Sequence, residues 1–278
     1  LIFYFIVNFQ SFGMAFQTYT TEGEFVWDIS YNLTELSLYS KYLWAWAKNS
    51  ILVWLVTSFF GTVLAVIFSY YIYKKRLFCN IFKFVLFLPS VIPGILLGIM
   101  FYHFVGSGIP AYTRGALINI FDTPALKATY GENAVRIRFW VMTFYTAWIS
   151  FGSQVLVYTG AMDQIPTEVI EAGQLDGVSF MRELRSIVFP SILPSVGTFL
   201  IAGVAGLFSN QNNLFNIMGM NTNIDLSEQT VGYFLYSYVL KSAGKTGYTF
   251  ASFLGLCCTL IVLPISFGVR KLVERALK

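Results

Sequence analysis

Five long stretches of this chain contain no Asp, Glu, Lys or Arg. They are Asn49 to Tyr73, Phe84 to Val105, Phe139 to Gly160, Ser191 to Phe208, and Gly247 to Val269. A helix needs about 20 predominantly apolar residues to cross the hydrocarbon core, which offers its backbone no water. Leu1 to Phe16 would be a sixth span, with its front cut short. We therefore predict an all-α integral membrane protein with about six transmembrane helices in a single domain, residues 1–278.

The composition agrees with a lipid environment. The chain is 56% hydrophobic and 12% charged, whereas soluble chains carry about 25% charged residues. Its 28 Phe, 17 Tyr and 6 Trp suit lipid-facing surfaces and interfacial anchors. Cys79, Cys257 and Cys258 form no even-numbered set, and the last two lie in an apolar stretch, so we expect no disulfide. The net charge of +4 includes no basic cluster that predicts nucleic-acid binding.

The basic residues predict the orientation. One side of the spans has ten basic and six acidic residues, and the other side has eight of each. The ten basic residues lie between Lys74 and Lys83, at Arg182 and Arg185, and in the tail from Arg270. Basic residues favour the cytoplasm. We expect a multi-pass protein of the cell membrane with its C-terminus in the cytoplasm. Long connections lie on the outer side, and loops of that length usually carry function.

The connection at residues 163–190, on the predicted cytoplasmic side, has the sharpest local pattern. Pro166 is suited to open a short helix and Thr167 to cap it. Glu168 and Glu171 place negative charge near the positive N-terminal end of that helix. The sequence therefore predicts a short helix with an acidic first turn.

A break and a second helix follow. Asp176-Gly177 ends the first helix, because glycine accepts a left-handed cap without a Cβ clash. Ser179 is positioned to cap the second helix, which Pro190 and Pro194 would end as the fifth span begins. In the first helix Ala172 and Gly173 leave the middle nearly bare. The loop is either a docking knob for a basic partner or an amphipathic segment resting on the membrane.

This stretch resembles the loop of ABC importer permeases, in which Glu-Ala-Ala precedes Asp-Gly and a later Ile-x-Leu-Pro. The residues that match in type and spacing are Glu171, Ala172, Asp176, Gly177, Ile187 and Pro190. Gly173 replaces the second Ala and Phe189 replaces Leu. Leu88 to Pro93 and Gln211 to Met218 resemble the maltose-type sugar permease branch.

The resemblance implies the type I ABC importer permease fold, with a cytoplasmic coupling helix between the fourth and fifth helices. It implies that two homologous permease subunits, here a heterodimer, form the path. Two cytoplasmic ATPase subunits would carry ATP and Mg, and an extracytoplasmic solute-binding protein would deliver the sugar. This chain would be no enzyme and hold no cofactor or metal. The residues that would couple to the ATPase are Glu168, Glu171, Ala172, Gly173, Asp176 and Gly177.

Neutral sugars are held by aromatic faces and by amide or hydroxyl groups. Candidate residues for the substrate path are therefore Tyr102, Tyr145, Trp148, Ser153, Gln154, Asn210, Gln211 and Asn213. Tyr and Trp near helix ends also anchor at interfaces, and Ser or Gln within a helix also binds a neighbouring helix. Both interpretations stay open for each residue.

Other readings of the chain remain. His103 is either a proton relay or a structural hydrogen-bonding group, and the relay lacks ionisable partners in the spans. Pro89, Pro93 and Pro264 are either hinges or packed kinks. The alternatives for the whole chain are a permease for amino acids, peptides or oxyanions, a secondary transporter or channel, and a membrane enzyme. Uncharged spans without a filter or metal motif disfavour the last two classes.

Overall fold

The computed structural model describes residues 9–20, 24–114, 117–131, 134–219, 224–242 and 246–276. Most of these residues are helical. A small antiparallel pair, β1 (Gln17–Tyr19) and β2 (Phe25–Trp27), precedes the long helices. The labelled helices are α1 (Ser30–Tyr73), α2 (Cys79–Val91), α3 (Gly94–Tyr112), α4 (Thr123–Tyr130), α5 (Ala134–Met162), α6 (Thr167–Leu175), α7 (Phe180–Ala205), α8 (Leu214–Met218), α9 (Val231–Lys241) and α10 (Thr246–Ala276).

Four helices among the described residues are long and apolar enough to cross a membrane: α1, α3, α7 and α10. The predicted span Phe139 to Gly160 lies within α5, which is not among those four helices. Because α5 packs against α1, α2 and α7, much of its surface faces protein instead of lipid. Of the predicted sixth span, residues 1–8 lie outside the described residues, and 9–14 are helical.

The predicted span Phe84 to Val105 is wrong as a single helix, because α2 ends at Val91 and α3 begins at Gly94. Ile92 is extended, at φ −72° and ψ 135°, as the residue before a proline tends to be. Pro93 therefore separates two helices. Pro89 and Pro264 lie inside α2 and α10.

The predicted outer connections contain more helix than expected. The first long helix begins at Ser30 rather than at Asn49. At this start, the Asp28 carboxylate accepts hydrogen bonds from the Ser30 N–H at 2.8 Å and from the Ser30 hydroxyl at 2.6 Å. These bonds hold the pKa of the Asp28 carboxyl below its usual range. The connection after α7 likewise contains α8 and α9. Helix formation in these loops satisfies backbone groups that a long irregular loop would leave to water.

Two packed regions position the functional surfaces. At the end of the bundle that carries the α1–α2 turn and α6, here called the basic end, Tyr70, Tyr158 and Val188 are buried together. At the opposite end, Trp46 and Phe234 stack with ring centroids 4.1 Å apart. Three of the long helices contain a π-helical turn: Val56–Phe60 in α1, Phe104–Gly108 in α3 and Leu184–Val188 in α7.

Candidate functional site

The loop at the basic end folds around α6 (Thr167–Leu175). Its N-cap is Pro166, so the prediction that Thr167 caps the helix is wrong: Thr167 is the first helical residue. The break at Gly177 has the predicted left-handed backbone, with φ +70°. The Val178 N–H donates to the Gly173 carbonyl and the Gly177 N–H to the Gln174 carbonyl, both at 3.0 Å. This Schellman arrangement satisfies the last carbonyls of the helix.

The second helix of the loop is continuous with the following span. Ser179 is at the N-cap of α7, as predicted, although its side chain makes no capping hydrogen bond. Pro190 and Pro194 do not end this helix, which continues to Ala205. A proline ring clashes with the carbonyl four residues earlier in an ordinary helix. Ser186, four residues before Pro190, lies in the wider π-helical turn Leu184–Val188.

The surface of α6 has two distinct faces. One face is buried against the protein through Ile170 and Gly173, and a Cβ on Gly173 would lie 2.8 Å from the Ile187 Cδ1 atom. The other face is open to solvent and carries five of the six residues predicted to couple to a partner: Glu168, Glu171, Ala172, Asp176 and Gly177. Gly173 therefore faces its own chain, where its small size lets α6 approach α7.

Buried contacts connect this loop to α1 and α7. Ile170 joins the buried cluster that contains Leu184 and Val188. The Lys74 Nζ lies 2.5 Å from the Glu183 Oε1, and the Glu183 side chain is 5% exposed. The Tyr70 hydroxyl donates to the Phe180 carbonyl at 3.2 Å. A displacement of α6 would therefore be transmitted to α7.

A polar network lies toward the opposite end, between α5 and the turn before α8. The Thr146 hydroxyl donates to the Asn212 Oδ1 and accepts from the Asn213 Nδ2, each at 3.0 Å. The Asn212 Nδ2 donates to the Thr143 Oγ1 at 3.2 Å. Asn212 and Asn213 have φ near +52°, a conformation that asparagine tolerates better than most residues. The network offers uncharged donors and acceptors beside aromatic rings.

The predicted path residues divide between this network and more distant positions. Asn213 belongs to the network, and the Asn210 Oδ1 accepts from the Asn212 N–H at 2.8 Å. Tyr145 is fully buried in one cluster with Leu214. The Trp148 ring lies 6.2 Å from that of Tyr145 between centroids and faces Phe60 and Gly61 of α1. Tyr102 packs in the same region, where its ring stacks on that of Phe121.

The other predicted path residues show fewer polar contacts. Gln211, beside the network, is half-buried. Ser153 is exposed and Gln154 half-buried, each further along α5 toward the basic end. The Gln154 Oε1 is buried without a hydrogen-bond partner among the described residues. His103 is exposed and packs edge-on against Tyr102, and its side chain makes no hydrogen bond within the described part of the chain.

Sequence analysis missed the buried polar members Thr143, Thr146 and Asn212. The spacing of the two threonines, three residues apart on α5, places them on one helix face and was the available signal. It also missed a buried ion pair between Arg138 and Glu228, which are two of the eight basic and eight acidic residues on the predicted outer side. The Arg138 Nε donates to the Glu228 Oε2 at 2.7 Å, and both side chains are at most 1% exposed.

The outer segment at residues 225–229 is held by side chains of three helices, α1, α4 and α5. The Arg138 Nη1 also donates to the Thr123 hydroxyl at 2.8 Å, and burial raises the pKa of Glu228 against the opposing effect of the guanidinium. From α1, the Trp46 Nε1 donates to the Leu226 carbonyl at 2.6 Å and Asn49 to the Gln229 carbonyl at 2.9 Å. The described residues contain no group of His, Cys, Asp and Glu suited to hold a metal ion.

Sequence comparison identifies relatives over most of the chain. The family model described as "Binding-protein-dependent transport system inner membrane component" matches residues 58–278. The multiple sugar-binding transport system permease protein MsmF of Streptococcus mutans is 25% identical over 181 residues, 65% of this chain and 58% of the relative. The maltose/maltodextrin permease MalF of Vibrio vulnificus is 24% identical over 246 residues, 87% of this chain and 45% of the relative. The chain spans about half the length of these relatives.

Solved structures share the fold. A chain of a bacterial ABC transporter involved in the import of the acidic polysaccharide alginate superimposes with a TM-score of 0.73 at 15% identity, covering 97% of this chain and 89% of that one. The alginate transporter in complex with its pentasaccharide-bound periplasmic protein gives a TM-score of 0.74 at 15% identity, covering 100% and 92%. The predicted all-α permease fold is confirmed, whereas the number of spans and the coupling role of α6 stay predictions. Because the family model matches far more than half of its residues, the chain belongs to the family of binding-protein-dependent transport system inner membrane components.

Proposed function

We propose that this chain is a channel-forming permease subunit of an ATP-driven importer, and that it moves sugars or oligosaccharides by alternating access. The observation that carries the proposal is the exposed acidic face of α6, held on α7 by the buried contacts of Ile170 and Gly173. A partner bound to this exposed face could move α7, because α6 is packed rigidly against it. Family membership supports this reading, and so do relatives named for sugar transport.

The motor and the delivery protein are separate chains in this proposal. Two ATPase subunits carry ATP and Mg at the cytoplasmic face, where the C-terminus also lies. One of them docks on this chain at Glu168, Glu171, Ala172, Asp176 and Gly177. A second permease subunit completes the path, and an extracytoplasmic binding protein brings the substrate. Gly173 keeps α6 close to α7, so closure of the ATPases displaces α6 and tilts α7.

The sugar assignment rests on the uncharged network at Thr146, Asn212 and Asn213. Its amides and hydroxyls match the hydroxyl groups of a sugar, and Tyr145 packs in the same region of the fold, in one cluster with Leu214. A screen of the accompanying binding protein against carbohydrates, amino acids and peptides tests this assignment by thermal shift. Stabilisation by carbohydrates is the expected result, and stabilisation by amino acids or peptides alone would contradict it.

Photo-crosslinking tests the docking site itself. Leu175 on α6 is 88% exposed, and Leu272 near the end of α10 is 63% exposed, so the two leucines form a matched pair. With benzoylphenylalanine at Leu175, we expect a crosslink to an ATPase subunit in native membranes. The same probe at Leu272 reports contacts away from α6. Equal ATPase crosslinking from both positions, or none from Leu175, would reject α6 as the docking site.

A further inference from the structure

An open cavity of about 540 Å³ lies at the basic end, between the α1–α2 turn and α6. Its lining comes from the turn, from Gln174 of α6 and from the start of α7: Lys74, Lys75, Arg76, Leu77, Gln174, Phe180 and Glu183. The proposed docking face of α6 does not account for this cavity, because none of the five exposed docking residues lines it. Its basic and amide side chains are donors suited to an anion.

The charges in the cavity do not cancel. The charge of Lys74 is neutralised by Glu183, because the Lys74 Nζ lies 2.5 Å from the Glu183 Oε1. Lys75 and Arg76 are both exposed, and neither forms an ion pair with an acidic side chain among the described residues. Two uncompensated positive charges therefore remain, beside the exposed amide of Gln174.

The turn that presents these charges is fixed in shape. Lys75 and Phe78 have left-handed backbones, with φ +47° and +58°. The Tyr71 hydroxyl donates to the Leu77 carbonyl at 2.9 Å. The Arg76 guanidinium carbon lies 5.8 Å from the centroid of the Phe180 ring, which holds the side chain over α7. A preorganised turn loses less entropy when it binds a ligand.

An exposed apolar surface begins at the same turn. Leu77 is 76% and Phe78 is 70% exposed. The surface continues along α2 and α3 through Ile81, Phe84, Val85, Leu88, Ile95 and Leu96. Because α2 has no buried residue and α3 is long and apolar enough to span a membrane, this continuous face is suited to lipid chains. The basic cavity thus lies beside this apolar surface, with Lys75 and Arg76 next to Leu77 and Phe78.

We propose that this cavity binds the phosphate of an anionic phospholipid, with Lys75, Arg76 and Gln174 as its donors and the acyl chains along Leu77 and Phe78. The headgroup joins the α1–α2 turn to α6, so membrane composition acts on the loop at residues 163–190. A basic residue near an anionic membrane surface contributes about 1 kcal/mol, or roughly fivefold in affinity. Loss of both charges then lowers the preference for anionic lipid by about 25-fold.

Native mass spectrometry of the full chain, extracted with its accompanying subunits, tests this site directly. The probes are dioleoylphosphatidylglycerol and dioleoylphosphatidylcholine at equal concentration. The double substitution Lys75→Gln and Arg76→Gln removes two charges at the cavity. The control, Lys271→Gln with Arg275→Gln, removes two exposed charges from the end of α10. This readout is lipid retention and does not depend on transport, so it stays separate from the test of the proposed function.

The expected result is selective retention of phosphatidylglycerol by the wild-type and control proteins, reduced about 25-fold in the cavity variant. Excess inorganic phosphate should leave retention unchanged. Displacement by inorganic phosphate would show that the site takes free phosphate, and equal retention by both variants would show that it takes no specific lipid. Unchanged lipid retention with loss of ATPase subunits from the cavity variant would make the cavity a protein contact. Each of these three results overturns the proposal.

Discussion

Gly173 of α6 lies directly against Ile187 in the π-helical turn of α7, so that a Cβ on Gly173 would be 2.8 Å from the Ile187 Cδ1. The contact brings a short exposed helix against a long one, beside the buried packing of Ile170 on Leu184 and Val188. The Ile187 terminal methyl is the flexible end of a side chain, so it has room to yield to one extra carbon but not to a branched group.

Substitutions at Gly173 should therefore divide by size. Gly173→Ala adds one methyl group and gains up to about 1 kcal/mol of helix stability, so we expect near-normal transport. Gly173→Leu should force α6 away from Ile187 and abolish transport, while the protein still reaches the membrane. Transport assays with quantitative membrane blots check both variants. Equal activity of the Leu variant and the wild type would show that the close approach is unimportant.

The left-handed backbone at Gly177 predicts a position-specific cost. An L-residue in this conformation is disfavoured by about 1–2 kcal/mol, so Gly177→Ala should lower both the unfolding temperature in detergent and substrate-stimulated ATP hydrolysis. Gly160→Ala is the matched control, because its added Cβ meets nothing within 4 Å. The control should leave both quantities at or above the wild-type values. Identical behaviour of the two variants would argue against the helix break as a structural requirement.

The Arg138–Glu228 pair should be far more sensitive than an exposed pair. Arg138→Met leaves a buried carboxylate without its partner, a loss that typically costs about 3–5 kcal/mol. Lys127→Met is the control, because Lys127 pairs with Asp225 at 3.0 Å while 48% exposed, and such pairs contribute about 1 kcal/mol or less. Unfolding temperatures in detergent compare the two. The added Glu228→Leu change should restore part of the lost stability of Arg138→Met, and a further loss would contradict this account.

The polar network predicts a change in transport of substrate. Thr146→Val keeps the shape of the side chain but removes the hydroxyl that binds Asn212 and Asn213. The buried Asn212 Oδ1 then loses its donor, at a cost of about 1–3 kcal/mol. We expect sugar transport to fall about tenfold or more. The control is Thr259→Val, because among the described residues the Thr259 hydroxyl bonds only to the Gly255 carbonyl of its own helix; this variant should transport normally. Uptake in proteoliposomes decides between these outcomes, and equal uptake by both variants would separate the network from the path.

The sequence predicted most of the apolar helices and the helix break at Gly177, because both depend on local patterns. Runs without charge predict the spans, and Asp176-Gly177 predicts a helix break through the backbone preference of glycine. Pro93 interrupts a span that hydropathy alone cannot divide, since the residues on both sides are equally apolar. Pro190 stays within a helix because the preceding π-helical turn makes room for its ring.

Contacts between distant parts of the chain escaped the sequence for a different reason. Arg138 and Glu228 look like ordinary loop charges until the fold brings them together, 90 positions apart. Asn212 acquires its role only when its turn meets Thr143 and Thr146 on α5. The inward orientation of Gly173 likewise depends on the packing of α7, which no local propensity specifies.

The most direct test of the proposed coupling role is ATP hydrolysis by the reconstituted importer carrying Glu171→Lys. The exposed acidic face of α6 predicts that this charge reversal abolishes hydrolysis stimulated by substrate-loaded binding protein, while the chain stays folded in the membrane. The matched control is Glu274→Lys, which reverses an exposed carboxylate that pairs with Arg270 on α10. The account predicts normal stimulation in the control and none in Glu171→Lys. Wild-type stimulation in Glu171→Lys would contradict it.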